Sequence, residues 1–182
     1  MSTESSPGRD PLRWEQRYLD KDLPWDSGHP DPHLLAVVEA YGLNSGKALD
    51  IGCGTGTNAI WLAGAGFDVL GLDLSPTAIE QAKAKAAAAG SGCRFLTTDF
   101  LVEDVPGGPF DLVYDRGCFH VFDEVDVRAR FAARVAELLV PDGVWHSLIG
   151  STDGPPREVG PPRRSLVELA AAVEPHFELL EL

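Results

Sequence analysis

Asp50-Ile51-Gly52-Cys53-Gly54-Thr55-Gly56 sets an acid ahead of three glycines at alternate positions. Glycine has no Cβ, so such a run turns tightly and lets a ligand lie against bare peptide. If a helix follows, its free N–H groups and positive dipole end face whatever anionic group the turn admits. Asp73 comes nineteen residues after Gly54, at a position where a carboxylate can accept hydrogen bonds from ribose hydroxyls. Asp99, Asp115, Arg116 and His120 are the remaining polar residues that close elements further along. His120 is the only side chain among them whose ordinary pKa lies near neutrality, which suits a proton acceptor; a structural histidine is the equal alternative. These residue types at this spacing suit an adenosine-bearing ligand held at the ends of strands.

Strands must then carry them. Lys47–Ile51 reads as the first strand, with a helix following through Trp61–Ala65. "FDVLGLDL" is the second strand, and "SPTAIEQAKAKAAAAG" a helix with Ser75 as N-cap, Pro76 at the first position and Gly90 at its end. "CRFLTTD" and "FDLVYD" are strands three and four; residues 123–140 form a long helix stopped by "PDG", and "VWHSLIG" is strand five. A proline-rich loop over 151–164, an ordered lid or connector, leads to the helix "SLVELAAAV" and a sixth strand, "HFELLEL". Short apolar strands alternating with helices predict an α/β three-layer sandwich with a mainly parallel, doubly wound, Rossmann-like sheet. Ahead of the strands, Trp14, Tyr18 and Leu19 share one helical face, and a second helix from Pro32 to Tyr41 buries Leu34, Leu35, Val37 and Val38. The expected organisation is a flexible tail over 1–10 and a single domain over 11–182, divided into a helical cap (11–45) and the sheet core (46–182).

Composition narrows the partners. The 182 residues are 44% hydrophobic and 24% charged, with 15 Lys plus Arg against 28 Asp plus Glu, a formal charge of −13. So acidic a surface repels phosphate backbones and anionic lipid heads, which sets nucleic acid and membrane aside, although Arg157, Arg163 and Arg164 form a local basic cluster. Cys53, Cys93 and Cys118 are odd in number and have neither disulfide nor zinc spacing, and His29 and His33 make no metal site with anything in view. No apolar run approaches the roughly 20 residues of a membrane span, and "MSTESSPGRD" lacks the apolar core of a secretory signal. A cytoplasmic protein is expected, with no metal.

"GTGTNA" over Gly54–Ala59 satisfies a dinucleotide fingerprint, whereas "DIGCGTG" resembles the first motif of class I S-adenosylmethionine-dependent methyltransferases. The rest of the chain favours the second. A helical segment precedes the glycine turn; "TTDF" places Asp99 and Phe100 where that family has an acid near the adenine; "DLVYDRGCFHVF" and "VPDGVWHSLIG" resemble its fourth and fifth motifs. More narrowly, "RWEQRYLDKDLPWDSGHPDPHLL" is similar to the N-terminal segment of the thiopurine, thiol and halide methyltransferase group, and Asp115-Arg116-Gly117 matches the Asp-Arg-Gly of the thiopurine enzymes. The resemblance spans about Trp14 to Gly150. The glycine loop departs from that narrower group toward the general form. The family's sheet also has a seventh, antiparallel strand, whereas this chain ends at Leu182 after its sixth predicted strand; truncation and completion by a second subunit, as in a homodimer, are both open.

The resemblance implies S-adenosyl-L-methionine as the methyl donor and a small-molecule acceptor. It implies Asp73, with Leu74 beside it, on the ribose; Asp99 on the adenine amino group with Phe100 nearby; and the backbone at Gly52, Gly54 and Gly56 on the methionine end. Asp50 orders the loop or meets the donor's amino group. Trp14, Tyr18 and Trp25 cover the donor, where aromatic faces suit a sulfonium; core packing is the alternative for the first two. Asp115 and Arg116 lie at the mouth, where Arg116 binds the donor carboxylate, polarises an acceptor or pairs with Asp115. His120 and Arg116 are the candidates for a chemical role. Two other readings stay open: a nicotinamide-dependent oxidoreductase on the same kind of sheet, and a non-catalytic binder of S-adenosylmethionine.

Overall fold

The computed structural model describes residues 10–155 and 160–182; the expected tail, apart from Asp10, and Arg157 lie outside them. The order is α1 (Pro11–Leu19), α2 (Pro32–Ala40), β1 (Gly46–Ile51), α3 (Thr57–Gly64), β2 (Phe67–Asp73), α4 (Pro76–Ala88), β3 (Arg94–Thr97), β4 (Phe110–Arg116), a 3-10 turn (Phe119–Val121), α5 (Val125–Leu138), β5 (Leu139–Leu148) and α6 (Leu166–Val173). Local chemistry accounts for most helix starts. Asp10, Asp31 and Ser75 each accept a backbone N–H as N-cap and are each followed by proline, whose fixed φ suits the first helical turn. Ser165 and Glu168 close a capping box at the start of α6.

The five strands pair in the order β3-β2-β1-β4-β5, all parallel. Both faces are covered. Ala48, Val69, Leu112 and Tyr114 pack with Leu34, Ala59, Leu62, Ile79 and Ala82 from α2, α3 and α4. Leu49, Ile51, Leu72 and Val113 pack with Phe131, Val135 and Val173 from α5 and α6. The strand order turns back at β1, because β2 and β3 lie to one side and β4 and β5 to the other. A crevice opens at the carboxyl ends of the strands at such a reversal.

Three expectations are corrected. Residues 176–182 form no strand; Phe177 packs its ring 5.2 Å from Trp145 and Leu179 joins the same core, so the alternating apolar residues are satisfied by one-sided packing without a ladder. "PDG" does not separate helix from strand. It lies within β5, where Asp142 takes φ +63 and the pairing with β4 shifts register between Phe110 and Leu112, a bulge-like irregularity. Leu19, placed on the buried face of α1, is 57% exposed, and Tyr18 alone is fully buried there.

Candidate functional site

The glycine turn sits at the carboxyl end of β1. Gly52, Gly54 and Gly56 all have positive φ, +71, +54 and +78. All three are also forced by neighbours, Gly56 by the Phe95 ring, 2.9 Å from where its Cβ would stand. A Cβ on Gly54 would lie 2.9 Å from the Tyr18 hydroxyl, and one on Gly52 would lie 3.2 Å from Cys118 Cβ. The turn is thus held between α1 on one side and the segment after β4 on the other.

Asp73 supports the turn from β2. Its Oδ2 accepts from Gly54 N–H and its Oδ1 from Ser75 N–H, both at 2.9 Å. Asp50 sits beneath the turn, 2% exposed; it accepts from Ala59 N–H at the start of α3, while its Oδ2 has no hydrogen-bond partner among the described residues. Asp115 is fully buried. Its Oδ1 accepts from Cys118 and Phe119 N–H, and its Oδ2 from Trp145 Nε1 at 3.0 Å, so it ties β5 to the turn after β4. Burial pushes Asp50 up to about 8, with the charges of Asp73 and Asp115 adding to it, and pushes Asp73 up to about 6. Burial raises Asp115 as well. The same burial, with these carboxylates nearby, holds the Cys53 and Cys118 thiols well above their ordinary values, which keeps both protonated near neutrality.

The N-terminal segment closes over this end of the sheet. Trp25 packs edge-on against Trp14 (5.9 Å between centroids) and Tyr18 (6.3 Å), while the Arg17 guanidinium covers one Trp25 face at 4.8 Å. Polar bonds latch the segment down. Glu15 accepts from the Ser75 and Thr77 hydroxyls at 2.5 Å each and from Thr77 N–H at 3.2 Å, which seats α1 on the first turn of α4. Asp26 accepts from the Thr55 hydroxyl at 2.7 Å, and that hydroxyl accepts from Lys85 Nζ. Asp31 N–H donates to Asn58 Oδ1 at 2.8 Å. Between segment and glycine turn runs a cleft lined by Trp25, Asp26, Ser27 and His29, by 52–55 and 57–58, and by Arg116.

Arg116 does not pair with Asp115. Its Nε contacts Asp31 Oδ2 at 2.6 Å and its NH1 donates to Trp25 O at 2.8 Å, so it fastens the N-terminal segment to the end of β4. His120 is 4% exposed, and its Nδ1 accepts from Gly150 N–H at 2.8 Å. A neutral imidazole has one lone pair, and this bond occupies it, which ties His120 to the loop after β5. Phe100 turns away from the cleft into the core, 4.7 Å from the Phe131 ring. Asp99 Oδ1 accepts from Leu101 N–H and shapes the turn after β3, and Leu74 is half-buried beside Asp73.

The structure therefore brings Trp14, Tyr18, Trp25, Asp50, the three glycines, Asp73, Asp115 and Arg116 to one end of the sheet, where the Phe100 ring packs into the core instead of lining the cleft. Sequence reasoning missed Glu15, Asp26, Asp31, Thr55 and Asn58. Asp31 was open to discovery, since an Asp-Pro step ahead of an apolar helix is an N-cap signature. Glu15 and Asp26 were not, because their partners lie 60 or 62 and 29 residues away.

The family model for a methyltransferase domain matches residues 48–143. A probable thiol methyltransferase 2 of Arabidopsis thaliana is 37% identical over 165 residues, 87% of this chain and 70% of the relative. A solved structure described by the conversion of a disulfide bond into a thioacetal group during echinomycin biosynthesis superposes with a TM-score of 0.71 at 37% identity, covering 82% of this chain and 68% of the other. The 1,6-didemethyltoxoflavin-N1-methyltransferase of Burkholderia thailandensis, solved with its substrate and S-adenosylhomocysteine, gives a TM-score of 0.66 at 26% identity, over 80% of this chain and 63% of the other. The chain thus spans about two thirds of the length of these proteins.

Proposed function

The chain belongs to the class I S-adenosylmethionine-dependent methyltransferases, and from that premise we propose that its acceptor is a small sulfur nucleophile that arrives already ionised. The residues present fit the donor. The glycine turn offers bare peptide, Asp73 stands beside it at the end of β2, and the buried Asp50 Oδ2 waits without a partner among the described residues. When bound, S-adenosylmethionine supplies a methyl group on a positively charged sulfur. Asp73 would hold the ribose diol, Asp50 and the turn the methionine end, and Asp99 the adenine. Residues 11–45 would act as a cap, Trp25 and the latched segment excluding water, and 46–182 as the core of one domain.

The observation that carries the acceptor assignment is the bond from Gly150 N–H to His120 Nδ1. With that lone pair occupied, His120 takes no proton from an incoming acceptor, and positioning is what the chain has left to contribute. A thiol, with a pKa of about 8.5, supplies its own anion near neutrality far more readily than a phenol at about 10. Similarity to a thiol methyltransferase supports the same class. The formal charge of −13 argues against nucleic acid or an anionic membrane as acceptor, and no helix among the described residues is long and apolar enough to cross a membrane.

The test is a labelled-methyl assay of hydrosulfide, benzenethiol, thiocyanate, iodide, phenol and aniline across pH 6 to 9. Thiols are expected to react fastest, with rates that rise through each thiol's own pKa. A preference for phenol or aniline, with a rate controlled by an enzyme group near pH 6.5 and lost in His120→Gln, would reverse the assignment.

A further inference from the structure

The turn after β4 is held from beneath by two buried arginines that no local rule explains. Arg128, from α5, is 1% exposed; Arg164, just ahead of α6, is 8% exposed. Arg128 NH1 donates to Phe122 O at 2.7 Å and Asp123 O at 2.9 Å. Arg164 donates from Nε to His120 O at 3.0 Å, and from NH2 to Phe122 O at 2.9 Å and Asp123 Oδ1 at 2.6 Å. Glu168 Oε1 lies 3.7 Å from both guanidinium groups. Burying two cations is costly unless hydrogen bonds and counter-charge offset the lost hydration; this set of bonds provides both, while Arg128 Nε has no hydrogen-bond partner among the described residues.

Arg164 also knits in the loop after β5. Its N–H donates to Gly150 O at 2.7 Å and its carbonyl accepts from Thr152 N–H, while Gly150 N–H donates to His120. The far side of the same turn presses Cys118 toward Gly52. Turn, loop, α5 and α6 are thus joined into one wall beside the donor turn, at the carboxyl ends of β4 and β5, the end of an open parallel sheet at which ligands bind.

We propose that Arg128 and Arg164 are positioning residues that set the acceptor-side wall of the cleft without touching either substrate. The inference rests on the methyltransferase reading above. Lysine keeps the charge but, as a compact point charge without the planar fork, cannot span two carbonyls and the Asp123 carboxylate at once, so Arg164→Lys loosens the wall.

Wild type, Arg164→Lys and Arg128→Lys are compared for S-adenosylhomocysteine Kd by calorimetry, KM and kcat for benzenethiol, urea midpoint, and the His120 imidazole 15N signals. The expected result is a Kd within about twofold, a fall in kcat/KM of ~30-fold or more per folded molecule, and a shifted Nδ1 signal, since misplacement by an ångström costs about a hundredfold. If Arg128→Lys does not fold, Asp123→Ala, which removes only the exposed end of the cluster, replaces it. Variants that lose stability yet keep wild-type KM, kcat and His120 signals overturn the proposal. A wild type that binds S-adenosylhomocysteine but methylates no thiol defeats the acceptor assignment instead, and the His120 signal then decides the positioning role alone.

Discussion

Asp73 and Asp50 each carry a structural duty beside the one proposed for them. Each supports the peptide of the glycine turn or the helix after it, and each is proposed to meet the donor. Asp73→Ala therefore removes a charged acceptor from ribose and a brace from Gly54. S-adenosylhomocysteine affinity is expected to fall at least ~10-fold by calorimetry, the scale of a hydrogen bond to a charged group. Their ionisation sets a pH trend opposite to that of ordinary salt-bridged carboxylates. With folded values of about 8 for Asp50 and about 6 for Asp73, above the unfolded value near 4, the folded chain binds more protons than the unfolded one. Stability of the ligand-free protein therefore falls as pH rises from about 4, through about 6 for Asp73 and through about 8 for Asp50, by up to ~1.4 kcal/mol per pH unit for each group. Urea midpoints at pH 5, 6.5 and 8 are expected to decline, and Asp50→Asn to flatten the decline and to be the more stable form at pH 8. A midpoint that climbs with pH would contradict the burial of these groups.

Among the elements, α1 depends most on single contacts. Only Tyr18 is fully buried in it, and Glu15 supplies its polar hold on the first turn of α4. Hydrogen bonds from Ser75, first, and from Thr77 keep the Glu15 carboxyl below its ordinary value. Glu15→Ala is expected to cost about 1–2 kcal/mol, the range of a lost cap. Amide exchange should quicken across 11–19 and stay unchanged in β1 and β4; uniform acceleration would mean that α1 is part of the cooperative core. Elements also differ in how plainly they could be read. β1, β2 and β4 are legible because strands buried on both faces are continuous apolar runs, and α4 because Ser75, Pro76 and Gly90 mark its two ends. The final segment is not. Alternating Phe177 and Leu179 report that one side is buried, whereas a strand also needs a neighbour with free backbone groups.

At the scale of the whole molecule the excess of acidic residues matters. A formal charge of −13 repels itself, and added salt shortens the reach of that repulsion from about 30 Å at 0.01 M to about 8 Å at 0.15 M. The urea midpoint at pH 7.5 is expected to rise between 10 and 150 mM sodium chloride. A fall would mean that local attractions such as Arg116–Asp31 and Arg164–Asp123 outweigh the overall repulsion. The reversal of strand order at β1 is the other global feature, because it opens the crevice at which the glycine turn, Asp73 and the N-terminal segment meet.

The amino-acid sequence by itself determined the order of the five paired strands and the helices between them, the glycine turn and the carboxylates near the ends of β1, β2 and β4. Those properties are set by neighbours along the chain: periodic burial, capping and the steric freedom of glycine act within a few residues. Only the tertiary structure decided which partner each long polar side chain takes. Glu15 finds Ser75 at a separation of 60 residues, Arg116 finds Asp31 at 85, and His120 receives Gly150 at 30. No spacing rule covers such distances, since the packed sheet alone brings those segments within reach; the role proposed for His120 turns on one of them.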